Sequence, residues 1–434
     1  MIAYPRRWLG ALRRLHRPLR AMSRGNIGIL YREIAWFGVA SGIVNTFTSV
    51  FAVRLGASNQ LLGLLASLPA MVGIVWQLPA ARLIERQPHR LRMVLASLLC
   101  HRLGYLAIGL LPWILPAWWA QAIVGIVVLS MIPLTLADIS FSSMLADIVP
   151  EGQRAHVISI RNSLIALTTT VTVLATGRLL DTFPFPINYQ GAFLVAFAAS
   201  MVSLAELAHL RIPGDGVSQT TGRGPAVPWL TVLQDHQFRR FAIASFAVIG
   251  GLYTPSALYP IYRVRVLGAS DTFIGLIGTV ETTITIFSTY FWGRQANRYG
   301  HRWVLLIGTL GLAFYPLFTA LSPRVEPLLL VSIIGGVFYP GFNLALYSLL
   351  LEVCPAEGRP TYLGVYNVLY YIAAFIAPLA GTTLADWLGV RPALLAAMAI
   401  RLASAGVLVW SLWLPERARA LRARNSMLPR QEQS

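Results

Sequence analysis

Long apolar stretches separated by short polar loops run along almost the whole chain. A bilayer core about 30 Å thick is crossed by roughly 20 apolar residues in an α-helix. Stretches of that length predict twelve membrane-spanning helices, near residues 33–54, 60–80, 92–114, 117–147, 156–178, 190–210, 239–263, 272–293, 303–321, 327–351, 362–385 and 391–413. The pattern therefore predicts an all-α membrane protein, interrupted by a glycine-, proline-, serine- and threonine-rich break at 214–228.

The composition also indicates a membrane protein, and this affects how the net positive charge is interpreted. Of the 434 residues, 56% are hydrophobic and only 12% are charged, whereas a soluble domain carries about 25% charged residues. The formal net charge is +18, and arginine supplies it without any lysine. In a soluble protein such a charge would suggest nucleic-acid binding. Here most arginines lie in short loops between apolar stretches, so they indicate membrane topology, and we expect no nucleic-acid partner.

The distribution of arginine predicts the orientation of the chain in the membrane. If both termini are cytoplasmic, the outer side of the membrane carries only six arginines: Arg54, Arg178, Arg263, Arg265, Arg324 and Arg391. Such a bias is what the positive-inside rule predicts, and an even number of spans agrees with it. We therefore expect a multi-pass protein of the plasma or inner membrane with both ends in the cytoplasm.

The chain lacks the motifs of enzymes and metal proteins. Its two cysteines, Cys100 and Cys354, are far apart in the sequence and form neither a disulfide framework nor a metal site. Histidine, cysteine and aspartate do not recur at ligand spacing, and neither a phosphate-binding loop nor a nucleophile elbow is present. We expect no enzyme activity, no cofactor and no metal.

An internal repeat divides the chain into two halves. A shift of 212 residues places 55–94 on 267–306 without a gap, so that Arg82, Arg86, His89 and Arg90 meet Arg294, Arg298, His301 and Arg302. A shift of 205 places Pro150, Arg154 and Asn162 on Pro355, Arg359 and Asn367. Both halves begin on the same side, so they are parallel repeats related by an axis along the membrane normal. The predicted organisation is a basic cytoplasmic tail (1–26), a six-helix bundle (27–211), a cytoplasmic linker (212–236), a second six-helix bundle (237–414) and a basic cytoplasmic tail (415–434).

The loops at 293–302 ("GRQANRYGHR") and 81–90 ("ARLIERQPHR") carry a family resemblance. They resemble the G-x-x-x-D-R-x-G-R-R signature that the major facilitator superfamily has between helices 2 and 3. The later copy has Asn297 in place of the acid, and the earlier copy has Ala81 and Pro88 in place of glycines. A second signature, an acid followed by an arginine below helices 4 and 10, resembles that of sugar porters. The resemblance implies twelve helices in two pseudo-symmetric six-helix bundles.

The resemblance also implies a cytoplasmic gate, in which these loops meet the acid–arginine pairs below helices 4 and 10. Its predicted residues are Glu85, Arg86, Arg90, Asp147, Arg154, Asn297, Arg298, Arg302, Glu352 and Arg359. Arginine suits such a gate because it makes bidentate contacts with carboxylates. We expect Arg86 and Arg90 to engage Asp147, and Arg298 and Arg302 to engage Glu352. In the alternative interpretation these arginines only set topology or touch anionic lipid, which is our expectation for Arg82 and Arg294.

Two acids inside predicted spans require an explanation, because an ionised side chain at the bilayer centre costs at least roughly 2.5–3.5 kcal/mol. Glu281 lies near the middle of helix 8 and is the first candidate for proton coupling. Asp138 lies in helix 4. In the alternative interpretation both are structural, in the ion pairs Arg102–Asp138 and Arg401–Glu281. Glu33 and Glu206 are expected at the membrane interface, and His101 as a buried polar neighbour of Arg102.

In the superfamily that the chain resembles, helices 1, 4, 7 and 10 line a central cavity. The resemblance therefore places Asp138 and Asn343 at that cavity, completed by Asn45 in helix 1 and by Tyr253 and Tyr259 in helix 7. The candidates in helix 11 are Tyr366 and Tyr370.

These features predict a secondary transporter that moves a small solute by alternating access. Proton coupling and the export of a lipophilic compound are the preferred details, although the glycine–proline pattern of drug–proton antiporters is missing from helix 5. The alternatives are a proton-independent facilitator for a sugar or metabolite, and a receptor or scaffold that keeps the fold without transport. The expected partners are the solute, protons and the lipid bilayer, and we expect a functional monomer.

Overall fold

The computed structural model describes residues 25–85, 90–114, 118–211, 228–355 and 358–413. Its twelve long helices are α1 (Gly25–Arg54), α2 (Asn59–Glu85), α3 (Arg90–Ile114), α4 (Trp119–Ile148), α5 (Glu151–Thr182), α6 (Ile187–Ala208), α7 (His236–Tyr253), α8 (Asp271–Tyr299), α9 (His301–Leu321), α10 (Pro327–Val353), α11 (Arg359–Leu388) and α12 (Val390–Leu412). Twelve helical segments are long and apolar enough to cross a membrane. The predicted all-α membrane fold with twelve spans is confirmed.

Several predicted features fall outside the described residues. They are most of the N-terminal tail (1–24), most of the linker (212–227), the whole C-terminal tail (415–434) and Arg86 of the gate.

The first compact unit comprises Met1–Phe51 and Val75–Thr220. Within it α3 packs against both α4 and α6. At one end of the unit, Leu30, Tyr31, Val94, Met144 and Leu207 form a buried apolar cluster. Between membrane helices, close van der Waals packing of such side chains stabilises the bundle, because lipid tails are as apolar as the side chains.

The second compact unit comprises Ala52–Ile74 and Thr221–Ser434. Within it α9 packs against α10 and α12, as α3 packs against α4 and α6 in the first unit. The repeat in the sequence is therefore a repeat in packing. The large cluster of this unit includes Phe238, Phe241, Trp292, Phe342 and Tyr366. Residues 52–74, which the sequence groups with the first bundle, belong to this unit by their contacts.

The glycine of the 293–302 signature, Gly300, forms the junction between α8 and α9. Its φ of +84° lies in a region that side-chain-bearing residues rarely adopt. Its amide donates a hydrogen bond of 2.9 Å to the carbonyl of Ala296 and so ends α8. At the other end of α8, the Ser270 side chain caps the helix by accepting from the Phe273 amide.

The seventh span is interrupted, which the sequence analysis did not predict. The helix α7 ends at Tyr253, a short helix follows at Leu258–Ile261, and a π-helix runs from Tyr262 to Val266. The interruption begins next to Pro255, which has no amide hydrogen to donate within a helix. π-Helical turns occur frequently at functional sites.

Candidate functional site

Glu281 lies on α8 within a chain of polar side chains. The Tyr315 hydroxyl, on α9, donates a hydrogen bond of 3.4 Å to Oε2 of Glu281. The same hydroxyl accepts a hydrogen bond of 2.7 Å from Nη2 of Arg263, on the π-helix that follows the interruption. Tyr315 therefore bridges an acid and a base within the second unit.

Helix α10 approaches this acid closely at Gly335. A Cβ atom at position 335 would lie 2.7 Å from Oε1 of Glu281 and 2.8 Å from the Tyr315 ring. Both distances are shorter than a van der Waals contact. A glycine is therefore required at 335 to leave room for the carboxylate in this position.

Arg263 is the residue of this site that the sequence analysis missed, because it was counted only among the outer, topology-setting arginines. Its guanidinium lies 5.8 Å from the centre of the Tyr259 ring, and the Tyr315 hydroxyl links it to Glu281. Its Nε is buried without a hydrogen-bond partner among the described residues. The sequence did indicate a shared site in one respect: Arg263 lies at the end of a predicted span, four residues after Tyr259.

The alternative ion pair Arg401–Glu281 is not formed among the described residues. Arg401 is only 4% exposed, and it donates to backbone carbonyls instead: to Gly251 at 2.9 Å, to Leu252 at 3.0 Å and to Leu312 at 2.5 Å. These carbonyls lie on α7 and α9, so Arg401 joins three helices. In the described part of the chain, Glu281 has no ion pair with any basic group.

Three of the four predicted tyrosines come together beside α7. The hydroxyls of Tyr253 and Tyr370 are 2.6 Å apart and share a hydrogen bond. Tyr366 lies next to Tyr370, with 6.4 Å between ring centres. Tyr259 is the exception, because its ring packs on Tyr315 with 5.0 Å between centres. It therefore belongs to the Glu281 site.

The predicted polar residues of α1, α4 and α10 are exposed in their own units. Asn343 is exposed on α10. Asn45 is exposed on α1, and its amide donates to the Ser41 hydroxyl at 2.8 Å. Asp138 is exposed on α4, and within the described ranges it makes no hydrogen bond or ion pair.

The alternative ion pair Arg102–Asp138 is also not formed among the described residues. Arg102 is 1% exposed. It donates to the backbone carbonyl of Ser200 and, at 3.0 Å, to the Ser203 hydroxyl, both on α6. The side chain therefore points towards α6 and not towards α4. His101 is buried as expected, with its ring nitrogens 3.0 Å from the Ser130 carbonyl and 2.8 Å from the Tyr105 hydroxyl.

Glu33 is buried, contrary to the expectation that it lies at the interface. It is 5% exposed and forms an ion pair of 3.0 Å with Arg161 of α5. Its other oxygen accepts from the Ser203 hydroxyl at 3.2 Å, which links this pair to Arg102. Sequence reasoning missed Arg161, although it stands inside a predicted span. Glu206 pairs with Arg32 at 2.9 Å near the surface, as expected of an interfacial acid.

The gate residues are only partly described. The side chains of Glu85 and Asp147 are outside the described part, like Arg86. The Glu352 carboxylate lies 2.5 Å from Nδ1 of His301. It therefore contacts His301, the residue that precedes Arg302 in the sequence.

The other gate residues differ in their contacts and in their exposure. Arg302 donates to the Leu412 carbonyl at 3.3 Å, Arg154 donates to the Val149 carbonyl at 3.0 Å, and Arg298 lies 5.1 Å from the centre of the Tyr299 ring. Arg90 is partly buried, and Asn297 and Arg359 are exposed. The gate as a whole remains a prediction.

Polar contacts hold residues 52–74 within the second unit. Arg54 pairs with Asp271 at 3.0 Å and donates to the Ala269 carbonyl at 3.1 Å. Asn59 donates to Asp386 at 2.8 Å and accepts from Arg265 at 2.9 Å. Arg54 and Arg265 therefore form specific contacts in addition to their predicted role in topology.

Replacing Arg54 by glutamine should lower the free energy of unfolding by about 1.5–3 kcal/mol, the usual contribution of hydrogen bonds to charged groups. The reason is the loss of the contacts to Asp271 and Ala269. Chemical denaturation of the purified protein in detergent measures the change. Arg324→Gln is the matched control, because Arg324 is exposed in the loop between α9 and α10 and should change stability by less than about 0.5 kcal/mol. Equal effects of both variants would contradict this role of Arg54.

Comparison with known proteins gives a family and a fold. The sequence model of the Major Facilitator Superfamily matches residues 34–270 and 241–430. Multidrug resistance protein MdtG of Citrobacter koseri is 31% identical over 127 residues, and that of Salmonella choleraesuis is 28% identical over 124 residues. Each match covers 29% of this chain and 30% of the relative, so the chain spans less than a third of the length of these relatives.

Solved structures of transporters share the fold. A bacterial homolog of the human lysosomal transporter Spinster, in an inward-facing conformation, superposes with a TM-score of 0.70 at 14% identity, over 89% of this chain and 96% of its own. The nucleoside transporter NupG superposes with a TM-score of 0.71 at 12% identity, over 89% and 99% of the two chains.

Proposed function

The chain belongs to the major facilitator superfamily, and we propose that it is a multi-pass membrane transporter that exports a lipophilic solute in exchange for protons through Glu281. In this proposal the protein lies in the plasma or inner membrane. It places both termini in the cytoplasm, as the arginine distribution favours.

The observation that carries the proposal is the Glu281–Tyr315–Arg263 chain. A protonated Glu281 is neutral and is tolerated in the membrane with its single hydrogen bond to Tyr315. When the proton leaves, the carboxylate attracts Arg263, whose Nε has no partner among the described residues. The two protonation states therefore favour different arrangements of α8 and of the interrupted seventh span, which is what coupling requires.

Discontinuous helices of this kind form binding sites in many secondary transporters. The interruption at 254–257 separates the tyrosine cluster (Tyr253, Tyr366 and Tyr370) from Arg263. A movement of Arg263 towards Glu281 would thus act on the same span that carries Tyr253. This connection supports coupling between proton and solute.

The chemistry of the tyrosine cluster supports a lipophilic solute. Its aromatic rings offer apolar contact area, and the hydroxyls of Tyr253 and Tyr370 already bind one another, so less hydrogen-bonding capacity is left for a sugar. The names of the relatives, multidrug resistance proteins, also support a lipophilic solute, although these proteins match only part of the chain. We extend the proposal to Asp138, Asn45 and Asn343 as polar contacts along the solute pathway.

A proton-flux assay in liposomes tests the proposal. The purified protein is reconstituted with a pH-sensitive dye inside, and a panel of lipophilic dyes and, separately, of sugars and nucleosides is added. We expect proton movement that depends on a lipophilic solute and that falls to the level of protein-free liposomes in Glu281→Gln. The amide keeps the shape of the side chain and cannot exchange a proton.

Glu206→Gln is the matched control, because Glu206 is an acid of the same type at the end of α6, paired near the surface. It should keep the flux of the unchanged protein. Solute uptake without proton movement, unaffected by Glu281→Gln, would establish a facilitator and overturn the coupling. The absence of flux with every solute would favour the receptor or scaffold.

A further inference from the structure

An open apolar groove of about 400 Å³ lies on the second unit between α8 and α9. Its lining consists mostly of large side chains: Phe291, Trp292, Gln295, Tyr299, Trp303 and Ile307, together with Val304. The volume is within the roughly 300–1,000 Å³ of small-molecule sites. Helices α8 and α9 are long and apolar enough to span a membrane, so the groove lies along two membrane spans.

The groove follows from how the helices pack. Helices α8 and α9 each pack extensively against α10, but they contact one another only sparingly. They therefore diverge on the side away from α10. Trp292 forms the floor and is held from behind, because its indole nitrogen donates to the Val337 carbonyl at 2.6 Å and its ring fits against Gly341.

One end of the groove is basic. Arg294 lies 4.6 Å from the centre of the Tyr290 ring, and Arg298 lies 5.1 Å from the centre of the Tyr299 ring, which lines the groove. Both arginines are exposed, and neither has an acidic partner among the residues that the structure describes. The nearby carboxylate of Glu352 is paired with His301.

Aromatic residues also mark this end as the membrane surface. Tyr299 and Trp303 are 56% and 51% exposed, and such amphipathic rings concentrate at the level of the lipid headgroups. The groove thus runs from the headgroup level at Tyr299 and Trp303, with Arg298 beside them, past Arg294 towards Phe291 and Ile307.

We propose that this groove is a binding site for an anionic phospholipid, with one acyl chain along the α8–α9 groove and the phosphate at Arg294 and Arg298. Both guanidinium groups are exposed and lie against aromatic rings, and arginine binds phosphate in a bidentate manner. Gln295, the polar side chain of the lining, is placed to bind the ester region. A zwitterionic lipid would bring a second positive charge to the arginines and is disfavoured. The inference is independent of the proposed export of a solute.

Photolabelling of the full-length protein tests the inference. The protein is reconstituted in phosphatidylcholine vesicles that contain a trace of phosphatidylglycerol with a photoreactive group in its acyl chain. Labelled peptides are mapped by mass spectrometry. We expect labelling of 291–307 that excess phosphatidylglycerol removes and that excess phosphatidylcholine and inorganic phosphate leave intact.

Arg294→Gln and Arg298→Gln should each lower the apparent affinity for the probe about fivefold, the effect of one arginine near an anionic lipid surface. The double variant should lower it about 25-fold if the sites act independently. Trp303→Ala should reduce labelling by opening the groove, and Arg324→Gln, at the other end of α9, should leave it unchanged. Labelling of other membrane helices provides the check that each variant is folded.

Three results would overturn the proposal. One is equal labelling of 291–307 by a photoreactive phosphatidylcholine, which would indicate ordinary contact with the bilayer. Another is full labelling in the double arginine variant. The third is displacement of the probe by a lipophilic solute and not by phosphatidylglycerol, which would identify the groove as a solute site.

Discussion

Glu33→Gln should lower the free energy of unfolding by about 3–5 kcal/mol, the usual effect of removing one partner of a buried ion pair. Both partners of the pair are buried, with Glu33 5% and Arg161 8% exposed. The variant leaves the Arg161 charge in the interior without an opposite charge among the described residues, beside the Leu30 carbonyl at 2.7 Å and the Phe141 ring. It also weakens the Ser203 link to Arg102. Chemical denaturation in mixed micelles measures the loss.

Two further variants isolate the cause. Glu206→Gln removes an acid from a pair that is 25% and 38% exposed, and such pairs contribute only about 0–1 kcal/mol. The double variant Glu33→Gln with Arg161→Met should recover part of the stability, because the uncompensated charge is then absent. A cost of Glu33→Gln no greater than that of Glu206→Gln would show that the pair does not stabilise the first unit.

Gly381→Ala should destabilise the second unit by about 1–3 kcal/mol, as overpacking of a tight contact does, and should abolish transport. A Cβ atom at 381 would overlap with the backbone carbonyl oxygen of Thr254. This oxygen cannot turn aside like a side chain, so α11 and the interrupted seventh span must move apart. Thr254 lies next to Tyr253 of the tyrosine cluster, and the movement would disturb the proposed pathway.

Gly364→Ala is the matched control on the same helix, because its Cβ would meet no atom within 4 Å. Alanine there should be neutral or stabilising by up to about 1 kcal/mol, the difference in helix propensity. Thermal unfolding and solute flux of both variants give the comparison. Normal flux in Gly381→Ala would show that close packing at Thr254 is unnecessary for transport.

The helices were predictable because their signal is local. Each span is a run of apolar residues of a length that the bilayer determines, and the repeated packing of α3 and α9 follows from a repeat visible in the residues themselves. The family resemblance rested on the polar loops at 81–90 and 293–302. Neither the apolar runs nor the loop signatures depend on where a helix ends to within several residues.

The partners of the buried charges were not predictable from the sequence. Arg102 and Asp138 are at similar depth on consecutive helices, but Arg102 points towards α6 because of the rotation of α3 about its axis. Arg401 binds carbonyls that the interruption near Pro255 helps to make accessible. Depth along a span can be counted from the sequence, whereas the facing direction depends on packing with helices far away in the chain.

Residues 52–74 connect the two compact units in an unusual way. The division between the units falls inside helices, after Phe51 in α1 and after Ile74 in α2, and not in a loop. The backbone hydrogen bonds of α1 and α2 therefore continue across the division. Arg54 and Asn59 hold the end of α1 and the start of α2 to Asp271 of α8 and Asp386 of α11. An insertion or deletion within 52–74 would therefore disturb the packing of the second unit.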